Sequence, residues 1–161
     1  MSAPTEAAPA EYADQSRIAV GDAVAPLERT ITLTDMVAYA GATWDWHQLH
    51  YDTAYVAQKK LPAPIVDGQV FGALLVEQLQ DWLGPLSFVR ELEFTFRNLV
   101  FAGETVRCTG TVTAVSEGRL EVDLAVHVVA DDGSPGRAAA APARAVVLLG
   151  RADGPGAGGG A

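Results

Sequence analysis

The sequence predicts an α+β fold in which an antiparallel sheet wraps around one long central helix. Apolar residues make up 49% of the 161 residues, a proportion that suits one packed domain. The longest segment with helical spacing, residues 68–83, is apolar on more than one narrow face, which is typical of a buried helix. The segments that follow it have the composition of strands separated by turns.

Both ends of the chain have the composition of tails. Residues 1–16 are rich in Ala, Pro and acidic residues without periodicity, and residues 151–161 are rich in glycine. We therefore expect a single domain over residues 17–150 with a flexible segment on either side. The sequence shows no internal repeat and no second domain boundary.

The first half of the domain mixes strand and helix signals. Residues 28–33 predict a short strand, after which Thr34 is the expected N-cap of a helix that ends at Gly41. A second short helix is expected over residues 53–60. The two prolines within residues 61–64 then require extended backbone.

The central helix and the strands after it complete the domain. Asp67 is the candidate N-cap of this helix, and Gly84 followed by Pro85 ends it. The expected strands cover residues 88–99, 104–115, 120–130 and 138–149. Glycine-containing turns separate the last three strands and predict a meander.

The charge of the chain excludes some classes of partner. The net charge of −9 repels phosphate backbones, so we expect no nucleic-acid binding. No apolar segment approaches the roughly 18–20 residues of a membrane helix, and the N-terminus does not resemble a signal peptide. We therefore expect no membrane association and a cytoplasmic location.

Cys108 and His127 are expected to be structural, and no metal site is expected. Cys108 is the single cysteine and lies in a strand-like segment, so we expect a buried thiol. His127 lies in a Val-rich strand, at a core or edge position. The spacing of His47, His50 and Asp52 matches no strong metal motif, and we expect no metal site.

Residues 43–52 are the segment most suited to chemistry. They contain two tryptophans, two histidines and two aspartates, and they lie between two predicted short helices. Asp45 and His50 next to an apolar cavity would form a general acid–base pair. Burial raises the pKa of a carboxyl group and lowers that of an imidazole, so that both approach neutral pH. From composition alone, a turn that closes on itself through hydrogen bonds is the commoner interpretation.

Three separated segments resemble the MaoC-like (R)-specific enoyl-CoA hydratases. The family signature Asp-x-Asn-Pro-x-His is followed one residue later by Asp, and Asp45, His50 and Asp52 match these three positions. The segment Pro64-Ile65-Val66-Asp67-Gly68 lies where the family has Pro-Ile-x-His-Gly, and residues 94–106 resemble its later strand pair. The resemblance covers about residues 28–150 and implies a hot-dog fold.

The chain departs from this family pattern at three places. His47-Gln48 replaces Asn-Pro, Asp67 replaces histidine, and Asn98 replaces proline. Similar departures occur in the small subunit of heteromeric enoyl-CoA hydratases of bacterial steroid side-chain breakdown, which residues 42–46 and 81–85 also resemble. In that group a second hot-dog chain completes the site.

The resemblance implies a hydratase or dehydratase that adds or removes water at a 2-enoyl or 3-hydroxyacyl thioester without a cofactor. Asp45 and His50 would hold the water, and the Gly68 N–H would stabilise negative charge on the thioester oxygen, although Gly68 could simply begin the helix. The further candidates for substrate contact, each with a packing or capping alternative, are Trp44, Trp46, His47 and Asp67.

Several functions stay open at this stage. A thioesterase on the same fold would also use an acid, and a dehydratase or cyclase could act on a natural-product intermediate. Because the surface is acidic, the sequence does not decide whether CoA or a carrier protein carries the acyl group. A subunit with an acyl-binding role in a heteromer is a further alternative. Because an open sheet edge favours association, we expect a homodimer or a heteromer with another hot-dog chain.

Overall fold

The fold is known from a computed structural model, which describes residues 12–150. The strands are β1 (Ala23–Thr30), β2 (Ser87–Phe96), β3 (Thr105–Ser116), β4 (Arg119–Val129) and β5 (Pro135–Leu149). The helices are α1 (Leu33–Thr43), α2 (Thr53–Gln58) and α3 (Gln69–Leu83), and residues Gln48–His50 form one 3₁₀ turn. None of these helices is long and apolar enough to cross a membrane.

The five strands form one antiparallel sheet with the order β1-β3-β4-β5-β2. The sheet packs against α3, where Leu75 and Leu79 are fully buried. The facing side chains are mostly short and branched, so the helix can lie close to the sheet. The predicted α+β architecture with a central helix is confirmed.

The first helix begins and ends at residues other than those expected. Thr32, not Thr34, is its N-cap, because Thr32 and Asp35 form a reciprocal capping box that requires this spacing. Gly41 does not end the helix, which continues to Thr43. Trp44 ends it in the left-handed conformation with a φ of 62°.

The strand boundaries also differ from those expected. The first strand begins at Ala23 and ends at Thr30, so residues 31–33 of the predicted strand lead into α1 instead. The register shift between Val24 and Leu27 breaks the simple alternation that would identify this strand. β2 ends at Phe96, before the predicted end at residue 99, and β5 begins already at Pro135.

Residues 12–16 pack against the end of α3, although the sequence placed them in a tail. The Ala13 N–H donates to the Trp82 carbonyl at 2.8 Å, and Gln15 Nε2 donates to the Leu83 carbonyl at 2.9 Å. Gly84 has a φ of +84°, and an added Cβ there would lie 2.9 Å from the Tyr12 ring. The packed region therefore begins before residue 17. The remaining parts of the two predicted tails, 1–11 and 151–161, lie outside the described residues.

Cys108 and His127 both lie in the sheet. Cys108 is 1% exposed, and burial raises the pKa of its thiol to about 12, which fits the expected inert thiol. His127 is half-buried in β4, opposite Arg107 on one side and Ala138 on the other.

Candidate active site

The loop between α1 and α2 is held by its own hydrogen bonds. Asp45 Oδ1 accepts from the His47 N–H at 3.1 Å, and His47 Nδ1 accepts from the Leu49 N–H at 3.2 Å. The Tyr51 hydroxyl donates to the Trp46 carbonyl at 3.1 Å. The closed turn expected as the structural alternative therefore exists, and it fixes the loop that carries Asp45 and His50.

Asp52 begins the next helix. Its Oδ1 accepts from the Tyr55 N–H at 2.9 Å, and its Oδ2 accepts from Gln48 Nε2 at 3.3 Å. Because both carboxylate oxygens are engaged in this way, the acid that trails the signature acts as an N-cap of α2.

His50 is held in one orientation by the segment that precedes α3. The Ile65 N–H donates to the Leu49 carbonyl at 2.9 Å, and His50 Nδ1 lies 2.8 Å from the Ile65 carbonyl. A carbonyl oxygen can only accept, so Nδ1 carries the hydrogen in this bond. In the neutral ring Nε2 then has a free lone pair and can take a proton.

The hydrogen bonds between residues 49–50 and Ile65 also bring Asp67 next to Asp45 and His50. One polar atom from each of the three side chains can be chosen so that all three lie within 4.8 Å of one another. Asp45 is exposed, whereas His50 and Asp67 are half-buried. Two carboxylates and an imidazole at this distance can pass protons to a molecule held between them. These donor types could also coordinate a divalent cation, and the absence of a metal stays a prediction.

A narrow crevice surrounds these three polar groups. The other residues that line it are Met36, Tyr39, Ala40 and Val70. Tyr39 was not predicted as a site residue, because a tyrosine at this position has the spacing of an ordinary buried residue of α1. Burial and the negative charge of Asp67 raise the pKa of the Tyr39 hydroxyl.

A larger cavity of about 390 Å³ lies on the other side of His50. Its walls are mainly apolar, and its lining residues are Leu49, His50, Ile65, Val66, Gly68, Phe71, Phe96, Arg97, Asn98, Leu99 and Val100. His50 therefore borders both the polar crevice and an apolar space of the size that small ligands occupy.

Gly68 lies on the wall of this cavity, at the start of α3. An added Cβ would lie 2.5 Å from Cε1 of Phe96, so any larger residue would displace the ring. The Gly68 N–H makes no hydrogen bond within residues 12–150. Gly68, and not Asp67 as expected, is the N-cap of α3, and Asp67 lies one residue earlier, where its Oδ1 accepts from the Gln69 N–H at 2.9 Å.

The two tryptophans and His47 lie away from the cavities. Trp44 is 80% exposed and Trp46 is 44% exposed. The Trp46 ring contacts the rings of Trp44 and Tyr51 edge to face. None of the three predicted residues lines the crevice or the cavity beside His50. Their roles in substrate contact stay predictions, and the contacts seen for them hold the loop.

The chain matches a known family and a curated relative. Residues 16–133 match the MaoC like domain family. A curated relative, the (R)-specific enoyl-CoA hydratase of Aeromonas caviae, is 30% identical over 114 residues, which are 68% of this chain and 83% of the relative.

Solved structures share the fold. The (R)-hydratase from A. caviae involved in PHA biosynthesis superposes with a TM-score of 0.73 at 26% identity, over 83% of this chain and 98% of that one. The ChsH1-ChsH2 complex from Mycobacterium tuberculosis gives 0.70 at 23% identity, over 83% and 98%. The R-hydratase PhaJ1 from Pseudomonas aeruginosa gives 0.76 at 20% identity, over 85% of each chain. The chain has a hot-dog fold and belongs to the MaoC-like family, whose members include hydratases and dehydratases.

Proposed function

We propose that this protein adds water to a 2-enoyl thioester, or removes water from a 3-hydroxyacyl thioester, with Asp45 and His50 as the acid–base pair. One observation carries the proposal. Asp45 and His50 converge within 4.8 Å, and His50 also borders an apolar cavity that includes the Gly68 start of α3. The similarity to an (R)-specific enoyl-CoA hydratase supports the same reaction class.

The hydrogen bond of His50 to the Ile65 carbonyl supports a division of roles. His50 Nε2 takes one proton from the water while the water oxygen bonds to C3 of the substrate. The electrons of the double bond move onto the thioester oxygen, which the Gly68 N–H stabilises. The proton taken from the water then passes through the Asp45–His50 pair to C2. Its delivery returns both side chains to their starting state.

A positive charge at the cavity could bind the anionic carrier of the acyl group, although the protein as a whole is acidic. Arg97 lines the cavity, and its guanidinium has no carboxylate within 4.0 Å among residues 12–150. The Arg97 Nε donates to the Ala141 carbonyl, and a guanidinium that has no carboxylate partner favours phosphate-bearing thioesters, whether CoA or a carrier protein holds the acyl group.

The active form is proposed to be a homodimer or a heteromer with another hot-dog chain. β1 and β2 are the two edges of the sheet, and Phe88 and Phe96 on β2 are 64% and 53% exposed. Light scattering on the purified chain, alone and with a co-expressed hot-dog chain, distinguishes the two assemblies. A monomer in both cases contradicts the proposal.

Loss of the enoyl absorbance tests the reaction directly. Purified protein is mixed with crotonyl-CoA and with longer and bulkier enoyl-CoAs. We expect Asp45→Asn and His50→Gln to lower turnover by about 10²–10⁴-fold, the usual contribution of a general acid or base. Asp131→Asn in an exposed turn and His127→Gln in β4 are the matched controls and should retain turnover. Full activity in both site variants would overturn the assignment.

A further inference from the structure

Tyr39 lies between the crevice and a second cavity of about 510 Å³. The crevice holds Asp45, His50 and Asp67, and Tyr39 is the residue that also lines the second cavity. The second cavity has a mixed lining, with apolar contributions from Gly72, Ala73, Val76, Leu92 and Phe94 and polar ones from Gln69, Glu77, Gln80 and Asp81. A chain that leaves the crevice toward this cavity must pass the Tyr39 side chain.

The Tyr39 hydroxyl has no protein partner in the described part of the chain. Its side chain is half-buried, and within residues 12–150 the hydroxyl makes no hydrogen bond. Burial and the nearby Asp67 carboxylate keep this group protonated, so it can donate. The Tyr39 hydroxyl is not among the fully buried polar atoms that lack a partner, so water or a bound molecule can accept its hydrogen bond.

We propose that Tyr39 determines specificity by donating a hydrogen bond to the oxygen at C3 of a 3-hydroxyacyl thioester. The inference rests on the proposed function. Asp45 and His50 must place the water oxygen at C3, and the rest of the acyl group must then leave the crevice. Tyr39 lines both the crevice and the second cavity, so its hydroxyl is available to a ligand whose acyl chain runs from one to the other.

The bond predicts a difference between two ligands that are otherwise alike. (R)-3-Hydroxybutyryl-CoA carries the oxygen that Tyr39 would contact, whereas butyryl-CoA does not. A neutral hydrogen bond contributes enough that its loss weakens binding by about three- to tenfold. Tyr39→Phe should therefore raise the inhibition constant of (R)-3-hydroxybutyryl-CoA by that factor and leave that of butyryl-CoA unchanged.

The experiment measures both inhibition constants against crotonyl-CoA hydration, for the wild type, Tyr39→Phe and Tyr55→Phe. Tyr55 lies on α2 outside the crevice and is the matched control, so both constants should stay at the wild-type values. Equal shifts of both constants in Tyr39→Phe would indicate a packing role and overturn the proposal, as would no shift in either.

A failure of the proposed function gives a different result. In that case the wild type does not hydrate any enoyl-CoA. Calorimetry with the same two ligands then compares the wild type and Tyr39→Phe directly. A selective loss of affinity for the 3-hydroxy compound still supports Tyr39. The absence of binding of both ligands contradicts both proposals.

Discussion

The substitution Gly68→Ala separates a chemical role of this glycine from a packing role. The Gly68 backbone has a φ of −61° and a ψ of −26°, which alanine adopts without strain. The added methyl group, however, would lie 2.5 and 2.7 Å from two atoms of the Phe96 ring. Something must therefore move, and the 53% exposed Phe96 side chain is free to turn toward solvent.

The expected effects on stability and on activity differ in size. Overpacking of a rigid core costs about 1–3 kcal/mol of unfolding free energy. Because the exposed Phe96 ring can turn away, we expect Gly68→Ala to lose an amount near the lower end of this range. Loss of one oxyanion donor costs about 10²–10³-fold in turnover. We expect the added methyl group to keep the thioester away from the Gly68 N–H, which should reduce kcat/KM by about a hundredfold, while the free energy of unfolding falls by about 1 kcal/mol.

The double variant Gly68→Ala/Phe96→Leu decides between the roles. Leucine lacks the two ring atoms that the methyl group would meet, so the stability of the double variant should return toward that of Phe96→Leu. Urea unfolding and enoyl-CoA kinetics are measured on the wild type and all three variants. If activity also returns to the Phe96→Leu level, the loss in Gly68→Ala came from the displaced ring, and the predicted obstruction at the Gly68 N–H is refuted.

Two predictions concern the interior of the domain. Burial raises the pKa of the Cys108 thiol from the ordinary value of 9.0 to about 12. Between these two pH values the thiol keeps its proton in the folded protein and loses it in the unfolded chain. Its contribution to the free energy of unfolding therefore falls as the pH rises through this window. The difference in unfolding free energy between the wild type and Cys108→Ala should therefore shrink above pH 9.0, and a constant difference would contradict this. Gln78→Met should lower the free energy of unfolding by about 1 kcal/mol, because Gln78 Nε2 donates to the carbonyls of Ala25 and Cys108, while the loss of the buried, unpartnered Gln78 Oε1 offsets part of the effect. Urea unfolding measures this loss, with kcat/KM expected to stay unchanged, and an unaltered midpoint would show that water satisfies both carbonyls.

Much of the fold follows from local sequence patterns. The apolar face of α3 and the strands after it lie close to their expected positions, because helical spacing and Val-rich alternation are local signals. The boundaries of β1 and α1 were wrong for local reasons too. The helix α1 begins after Thr32, which forms a capping box, and not after Thr34. It continues through Gly41 and ends at Trp44, which has the left-handed conformation.

The candidate site was only partly accessible from the sequence. The spacing of Asp45 and His50 indicated a pair, since both lie in one short loop. The approach of Asp67 depends on the hydrogen bonds between residues 49–50 and Ile65, which join distant parts of the chain. Tyr39 belongs to the site because α1 and the start of α3 line the same crevice. No local pattern reports contacts of this kind.

The central claim is that Asp45 and His50 act on the same water molecule. The most direct test is kcat/KM for enoyl-CoA hydration by Asp45→Asn, His50→Gln and the double variant. Groups that act as a unit give strongly non-additive losses, so we predict that the double variant is scarcely less active than the poorer single variant. Losses that multiply in the double variant, or single variants that retain wild-type activity, would contradict the account.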